Sequence, residues 1–138
     1  MTTATYAYTG LDEAFPQVDP ELKPYGSRVL LQIRTPKTRS AGGIVLTQDA
    51  RDTDLWNTQV AKVIAIGPVA FRNRETLQLW PEGEWCKPGD FVRVPKYCGD
   101  RFQIPIPGKT DQAMFVEVND MELIGQHTGD PLKVVAFI

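Results

Sequence analysis

Short runs of alternating apolar and polar residues, each cut off by a Gly- or Pro-bearing turn, leave this chain little room for helices. From Ser27 onward, Val29, Leu31 and Ile33 alternate with Leu30, Gln32 and Arg34, the period of a half-buried strand. Residues 58–66 form the next run and stop at Gly67-Pro68. Lys87-Pro88-Gly89-Asp90 is a turn signature that feeds Phe91-Val92-Arg93-Val94. Tyr97-Cys98-Gly99-Asp100 is another, and it feeds the alternating Phe102, Ile104 and Ile106. Residues 108–111 turn into a run over 113–118, and residues 119–122 read as a short helical turn before Leu123 and Ile124. With 11 glycines and 11 prolines, no internal repeat and no amphipathic helix longer than a turn or two, the pattern predicts an all-β chain, a small barrel or sandwich.

The two ends do not share this pattern. Residues 1–23 carry Pro16 and Pro20 and little periodicity, and read as an arm with a helical turn over residues 11–15. Residues 131–138, PLKVVAFI, read as a short apolar strand beyond a flexible link over 127–130. An unpaired apolar strand is an aggregation hazard, so this one is expected to pair with its own barrel or with a neighbouring subunit.

Composition excludes several function classes. The chain has 138 residues, the size of one domain with tails. Its single histidine, His127, and two cysteines, Cys86 and Cys98, leave little for a tetrahedral metal site or for histidine-based acid–base chemistry, so neither a metal site nor a catalytic site is expected. A net charge of -2 lacks the basic excess of a nucleic-acid binder. No run approaches the roughly 18 apolar residues of a membrane span. MTTATYAYTG has neither a basic n-region nor an apolar h-region. A cytoplasmic chain with reduced thiols is the expectation.

The long connection over residues 35–57 holds one apolar island, Ser40-Ala41-Gly42-Gly43-Ile44-Val45-Leu46-Thr47. Short apolar runs are commonly core strands. Against that, connections of this length in compact domains are usually functional or disordered, and the glycine pair adds backbone freedom where a core strand needs stiffness. Phe71-Arg72-Asn73-Arg74-Glu75 forms the polar middle of a second excursion, residues 69–83, whose return limb carries Leu77, Leu79 and Trp80. It reads as a hairpin with a charged, solvated tip.

The octapeptide SAGGIVLT resembles the mobile-loop motif of the GroES-type co-chaperonins, the chaperonin-10 family. The resemblance continues through residues 24–33, the run from Gln59 to Gly67, the Lys87-Pro88-Gly89-Asp90 turn with Phe91 and Val92, and residues 117–124. It spans about residues 24–126 and divides the chain into an N-terminal extension (1–23), a GroES-like body (24–126) and a C-terminal tail (127–138). The resemblance implies a small β-barrel that assembles into a dome-shaped ring, a heptamer, and caps the ring of a large ATP-driven, GroEL-type chaperonin to enclose a folding chamber. Carried onto this chain, Ile44, Val45 and Leu46 are the docking anchors, Gly42 and Gly43 the flexible approach, and Ser40, Ala41 and Thr47 the frame. Residues 68–84 match the roof hairpin, with Arg72, Asn73, Arg74 and Glu75 near the symmetry axis, where Arg and Glu are expected to pair across subunits. ATP belongs to the partner, so no cofactor is expected. The arm and tail depart from the family pattern, and suit either a cellular chain or a virus carrying its own lid.

Other readings remain open at this point. Cys98 in its turn reads as a buried or turn thiol. Trp56, at the loop's exit, either contacts a partner or packs on the barrel. Zinc-dependent alcohol dehydrogenases contain a similar barrel, but Cys86, Cys98 and His127 lack ligand spacing and no GxGxxG follows a strand. Phe91, Arg93, Lys96, Tyr97, Arg101 and Phe102 interleave basic and aromatic residues in the manner of an OB- or SH3-like module for single-stranded nucleic acid or protein.

Overall fold

A computed structural model describes residues 10–35, 58–109 and 112–134. Among them the alternating runs become six strands: β1 (Arg28–Ile33), β2 (Val60–Ile66), β3 (Phe91–Arg93), β4 (Asp100–Pro105), β5 (Gln112–Asn119) and β6 (Gly125–Gln126). They form one antiparallel sheet in the order β4-β5-β1-β2-β3-β6. The helical turn expected over 11–15 is α1 (Leu11–Ala14), and the one expected over 119–122 is a 3-10 turn, Asp120–Glu122.

One face of the sheet encloses the main core, in a barrel-like arrangement. Val29, Leu31 and Ile33 of β1 meet Ala61 and Val63 of β2, Val92 of β3, and Met114, Val116 and Val118 of β5. Phe71 and Cys86 from the excursion between β2 and β3 pack into the same cluster. On β2 the spacing slips: Leu30 pairs with Ala65 but Leu31 with Val63, so Ile64 is the extra residue of a bulge. Ile64 and Ala65 therefore both pack on the opposite face, while Ile66 returns to the main core.

β1 departs from the half-buried strand that its alternation predicts. Every residue from Val29 to Ile33 is buried, on both faces. Leu30 packs with Ala113, Phe115 and Ile106, with Val18 of the N-terminal arm against them. Gln32 is also buried, and its Nε2 donates to the Pro16 carbonyl at 2.8 Å. The arm thus covers the face that period-two patterning assigns to solvent.

The C-terminal segment is not the predicted strand where it is described. Pro131–Lys133 is a 3-10 turn, with Asp130 Oδ1 accepting the Leu132 N–H at 2.9 Å. Proline has no N–H to give a ladder and its φ suits a first helical position, while Asp is a favoured N-cap; together they start a turn. Residues 135–138 lie outside the described residues.

Gly67 ends β2 against a tight crossing. Its N–H donates to the Arg28 carbonyl at 2.8 Å, and a Cβ there would strike the Gly26 carbonyl and lie 2.8 Å from the Arg28 oxygen.

Candidate functional site

The octapeptide residues Ser40, Ala41, Gly42, Gly43, Ile44, Val45, Leu46 and Thr47, and Trp56 beyond them, lie outside the described residues. What the structure does define is how the connection is held at its two ends. It leaves after β1 and returns into β2, and these strands are antiparallel neighbours with Ile33 opposite Ala61. Both ends are therefore tied to one end of the sheet.

Each end is pinned by side chains. On the return side Thr58 is buried, and Gln59 bonds to β3 and its following residue: its Nε2 donates to the Val94 carbonyl at 3.0 Å, its Oε1 accepts from Arg93 Nη2 at 2.9 Å, and its carbonyl accepts the Val94 N–H at 2.9 Å. On the departing side the Thr35 N–H donates to the Ala14 carbonyl at 2.8 Å. Arg34, buried to 2% exposure, donates from Nη1 to the carbonyls of Pro131 at 2.9 Å and Val134 at 2.6 Å. Arg34 and Gln32 carry no functional signal in the sequence, because a polar residue in an alternating strand reads as solvent-facing.

The second excursion is a short, irregular hairpin, in which the Asn73 N–H donates to the Gln78 carbonyl at 2.8 Å and the Trp80 N–H to the Phe71 carbonyl at 3.0 Å. Between Ile66 and Phe91 a single isolated bridge joins Arg72 to Leu79, among the described residues. Asn73 organises the tip: its Oδ1 accepts the N–H groups of Glu75 at 2.8 Å and Thr76 at 3.2 Å, an Asx-turn arrangement. Arg72 Nη1 donates to the Leu77 carbonyl at 3.0 Å, and the Glu75 side chain is exposed.

Arg74 does not stand free at the tip for a neighbouring subunit. Its Nη2 lies 2.6 Å from Oδ1 of the fully buried Asp120, an ion pair within the same chain. Asp120 Oδ2 accepts the N–H of Phe71 at 2.7 Å, where Phe71 sits at φ +62° with its ring buried. Asp120 was readable only as part of a helical turn; its partners lie 46 and 49 residues away, and no local signal marks it.

The remaining chemical candidates are two thiols and one histidine. Cys86 and Cys98 are free, buried thiols. Burial first, then the negative charges of Asp90 and Glu84, push Cys86 up to about 11. Burial also raises Cys98, with Arg101 opposing it. His127 is pushed down, by burial first and then by the positive charges of Arg93 and Arg34. Among the described residues no group of three His, Cys, Asp or Glu side chains is placed to hold a metal ion. Of the three aromatics of the nucleic-acid reading, Phe102 stacks on Phe115 at 5.5 Å and Phe91 tilts on Phe15 at 5.1 Å, and only Tyr97 is exposed. Arg93 is engaged by Gln59, and Arg101 Nε by the Cys98 carbonyl at 3.2 Å. That reading is set aside, since a stacking platform needs several exposed ring faces in succession. No helix among the described residues is long and apolar enough to cross a membrane.

A small all-β body, with its longest connection pinned at both ends on one end of the sheet and carrying an aliphatic tripeptide, has the build of a co-chaperonin. The chain belongs to the chaperonin-10 family: the family model described as Chaperonin 10 Kd subunit matches residues 21–126. It is similar to the Co-chaperonin GroES of Lactococcus lactis subsp. cremoris (strain MG1363), 32% identical over 103 residues that cover 75% of this chain and 95% of the relative. It is likewise similar to those of Tetragenococcus halophilus, 35% identical over 78 residues covering 56% of this chain and 74% of the relative, and of Lacticaseibacillus zeae, 35% identical over 82 residues covering 56% and 75%. Its function is that of a co-chaperonin.

Proposed function

We propose that this co-chaperonin caps the ring of a GroEL-type chaperonin by inserting Ile44, Val45 and Leu46 into an apolar groove of the partner. The observation that supports the reading is that the residues flanking the connection over 35–57 are held on adjacent strands, with SAGGIVLT between them in the sequence. The protein acts as a homo-oligomer, a heptameric dome, in the cytoplasm. It does no chemistry and holds no cofactor, and the ATP that drives the cycle is bound by the partner. Arm, body and tail divide at about residues 24 and 126.

The energetics suit a lid that must also let go. Burying one aliphatic side chain contributes about 1.5–3 kcal/mol, so three give roughly 5–9 kcal/mol gross. Ordering a flexible segment costs about 2–5 kcal/mol of that. One loop alone therefore binds weakly, and a ring of loops binds firmly because later contacts become intramolecular.

The test is co-sedimentation of the purified chain with a chaperonin ring, with and without ATP, beside a mass measurement of the free oligomer. ATP-dependent co-sedimentation of a ring-sized oligomer supports the reading. A stable monomer that ignores the ring overturns it.

A further inference from the structure

The two terminal extensions meet each other at one end of β1. Gln32 Nε2, Arg34 Nη1 and the Thr35 N–H, three donors at the end of that strand, are satisfied by carbonyls of the arm (Pro16, Ala14) and of the tail (Pro131, Val134). The same patch is sealed by apolar contact. Ala14, Phe15 and Val60 form a buried cluster against which Phe91, Leu132 and Val134 pack. Arg34 is the hinge of the arrangement, because its guanidinium spans two tail carbonyls while its own N–H bonds to Val60 on β2 at 3.3 Å. A buried guanidinium held by two carbonyls through Nη1 is geometrically exacting, since its donors are fixed in a plane.

We infer that the arm and tail form an intrachain brace that fixes where the octapeptide-bearing connection leaves the body, with Arg34 as a positioning residue for chaperonin docking. The inference rests on the docking reading above and adds a role for segments outside the family body. Its physical basis is entropic. A connection whose departing residues are already ordered loses less freedom when its anchors dock, and releasing the brace adds residues that must be ordered on binding.

The test uses the full chain with Arg34→Gln, which keeps a polar side chain but cannot span both carbonyls, and Arg34→Lys, which restores the charge and the donors. Leu132→Asp, which expels the tail from the apolar cluster, is the independent second variant. Amide hydrogen exchange and ATP-dependent binding to a chaperonin ring are measured on each. Arg34→Gln and Leu132→Asp are expected to speed exchange of the Thr35 amide and to weaken ring binding by at least about tenfold, the effect of ordering one additional residue in a single loop, which the ring repeats in every subunit. Oligomer mass and the protection of Leu30 and Leu31 amides stay unchanged, and Arg34→Lys, which keeps charge and donors but not the planar fork, recovers only part of the binding. Faster Thr35 exchange with unchanged ring binding overturns the positioning role, and unchanged Thr35 exchange overturns the brace itself. Failure of the unaltered chain to bind any ring removes the docking reading and the positioning role with it, while Thr35 exchange still decides the brace.

Discussion

Asp120 holds two groups of the excursion between β2 and β3 at once: Arg74 Nη2 at 2.6 Å on one carboxylate oxygen and the Phe71 N–H at 2.7 Å on the other. The carboxylate is fully buried whereas the Arg74 side chain is 45% exposed. The pair is thus a tether from the body to the excursion. Asp120→Ala strands a buried N–H and frees a cation that can rehydrate, so it should cost about 2–3 kcal/mol. Urea denaturation measures that loss, and faster amide exchange over residues 70–79 would place it in the excursion. Asp120→Asn should cost less, because it keeps an acceptor for Phe71.

Docking through the aliphatic tripeptide predicts that Ile44→Ser leaves the oligomer intact and abolishes capping. Each loop loses about 2 kcal/mol of burial, and the loss is repeated in every subunit of the ring. Sedimentation of the variant with and without the chaperonin reads both outcomes. A variant that assembles normally and still binds tightly would show that the anchor lies elsewhere.

Gly67→Ala is expected to destabilise the body by about 2–3 kcal/mol, because both atoms in the way are backbone carbonyl oxygens that cannot rotate aside. The midpoint of thermal unfolding checks it. Gly129→Ala, where nothing lies within 4 Å of the added methyl, is the control.

His127 gives stability a defined pH dependence. Its Nε2 is buried with no hydrogen-bond partner among the described residues, and burial with Arg93 and Arg34 lowers its pKa below 6.5. The unfolded chain then binds the proton more readily than the folded one. The contribution is complete above about pH 6.5 and is lost as pH falls from there through the lower folded value. Denaturation midpoints should decline between pH 7.5 and 5.5 in the parent chain, and His127→Asn should flatten the part of that slope due to this residue.

Cys86, raised to about 11 and buried, should remain a thiol at pH 8 and resist alkylation in the folded protein. Cys98, also buried and raised, should behave alike. Mass spectrometry after iodoacetamide treatment checks this: both should react only once denaturant is present.

Strand identity was legible because its signals are local. Alternation at Val29, Leu31 and Ile33 and the Lys87-Pro88-Gly89-Asp90 turn act over a few residues, so the all-β class follows from the chain itself. The octapeptide and the turn together carried the family, which the match over residues 21–126 shows. The predicted C-terminal strand does not start at Pro131, where ring geometry and an Asp cap set a 3-10 turn over Pro131–Lys133.

What the sequence by itself determined was therefore the sheet, its turns and the family. Only the tertiary structure decided what covers β1 and what holds the excursion between β2 and β3. Period-two patterning says which residues share a face, but not whether another segment lies over that face. Arg34 reaches carbonyls 97 and 100 residues away, and Asp120 reaches Arg74 across 46. Contacts at that separation depend on where folding brings distant segments together, and no short stretch of sequence encodes them.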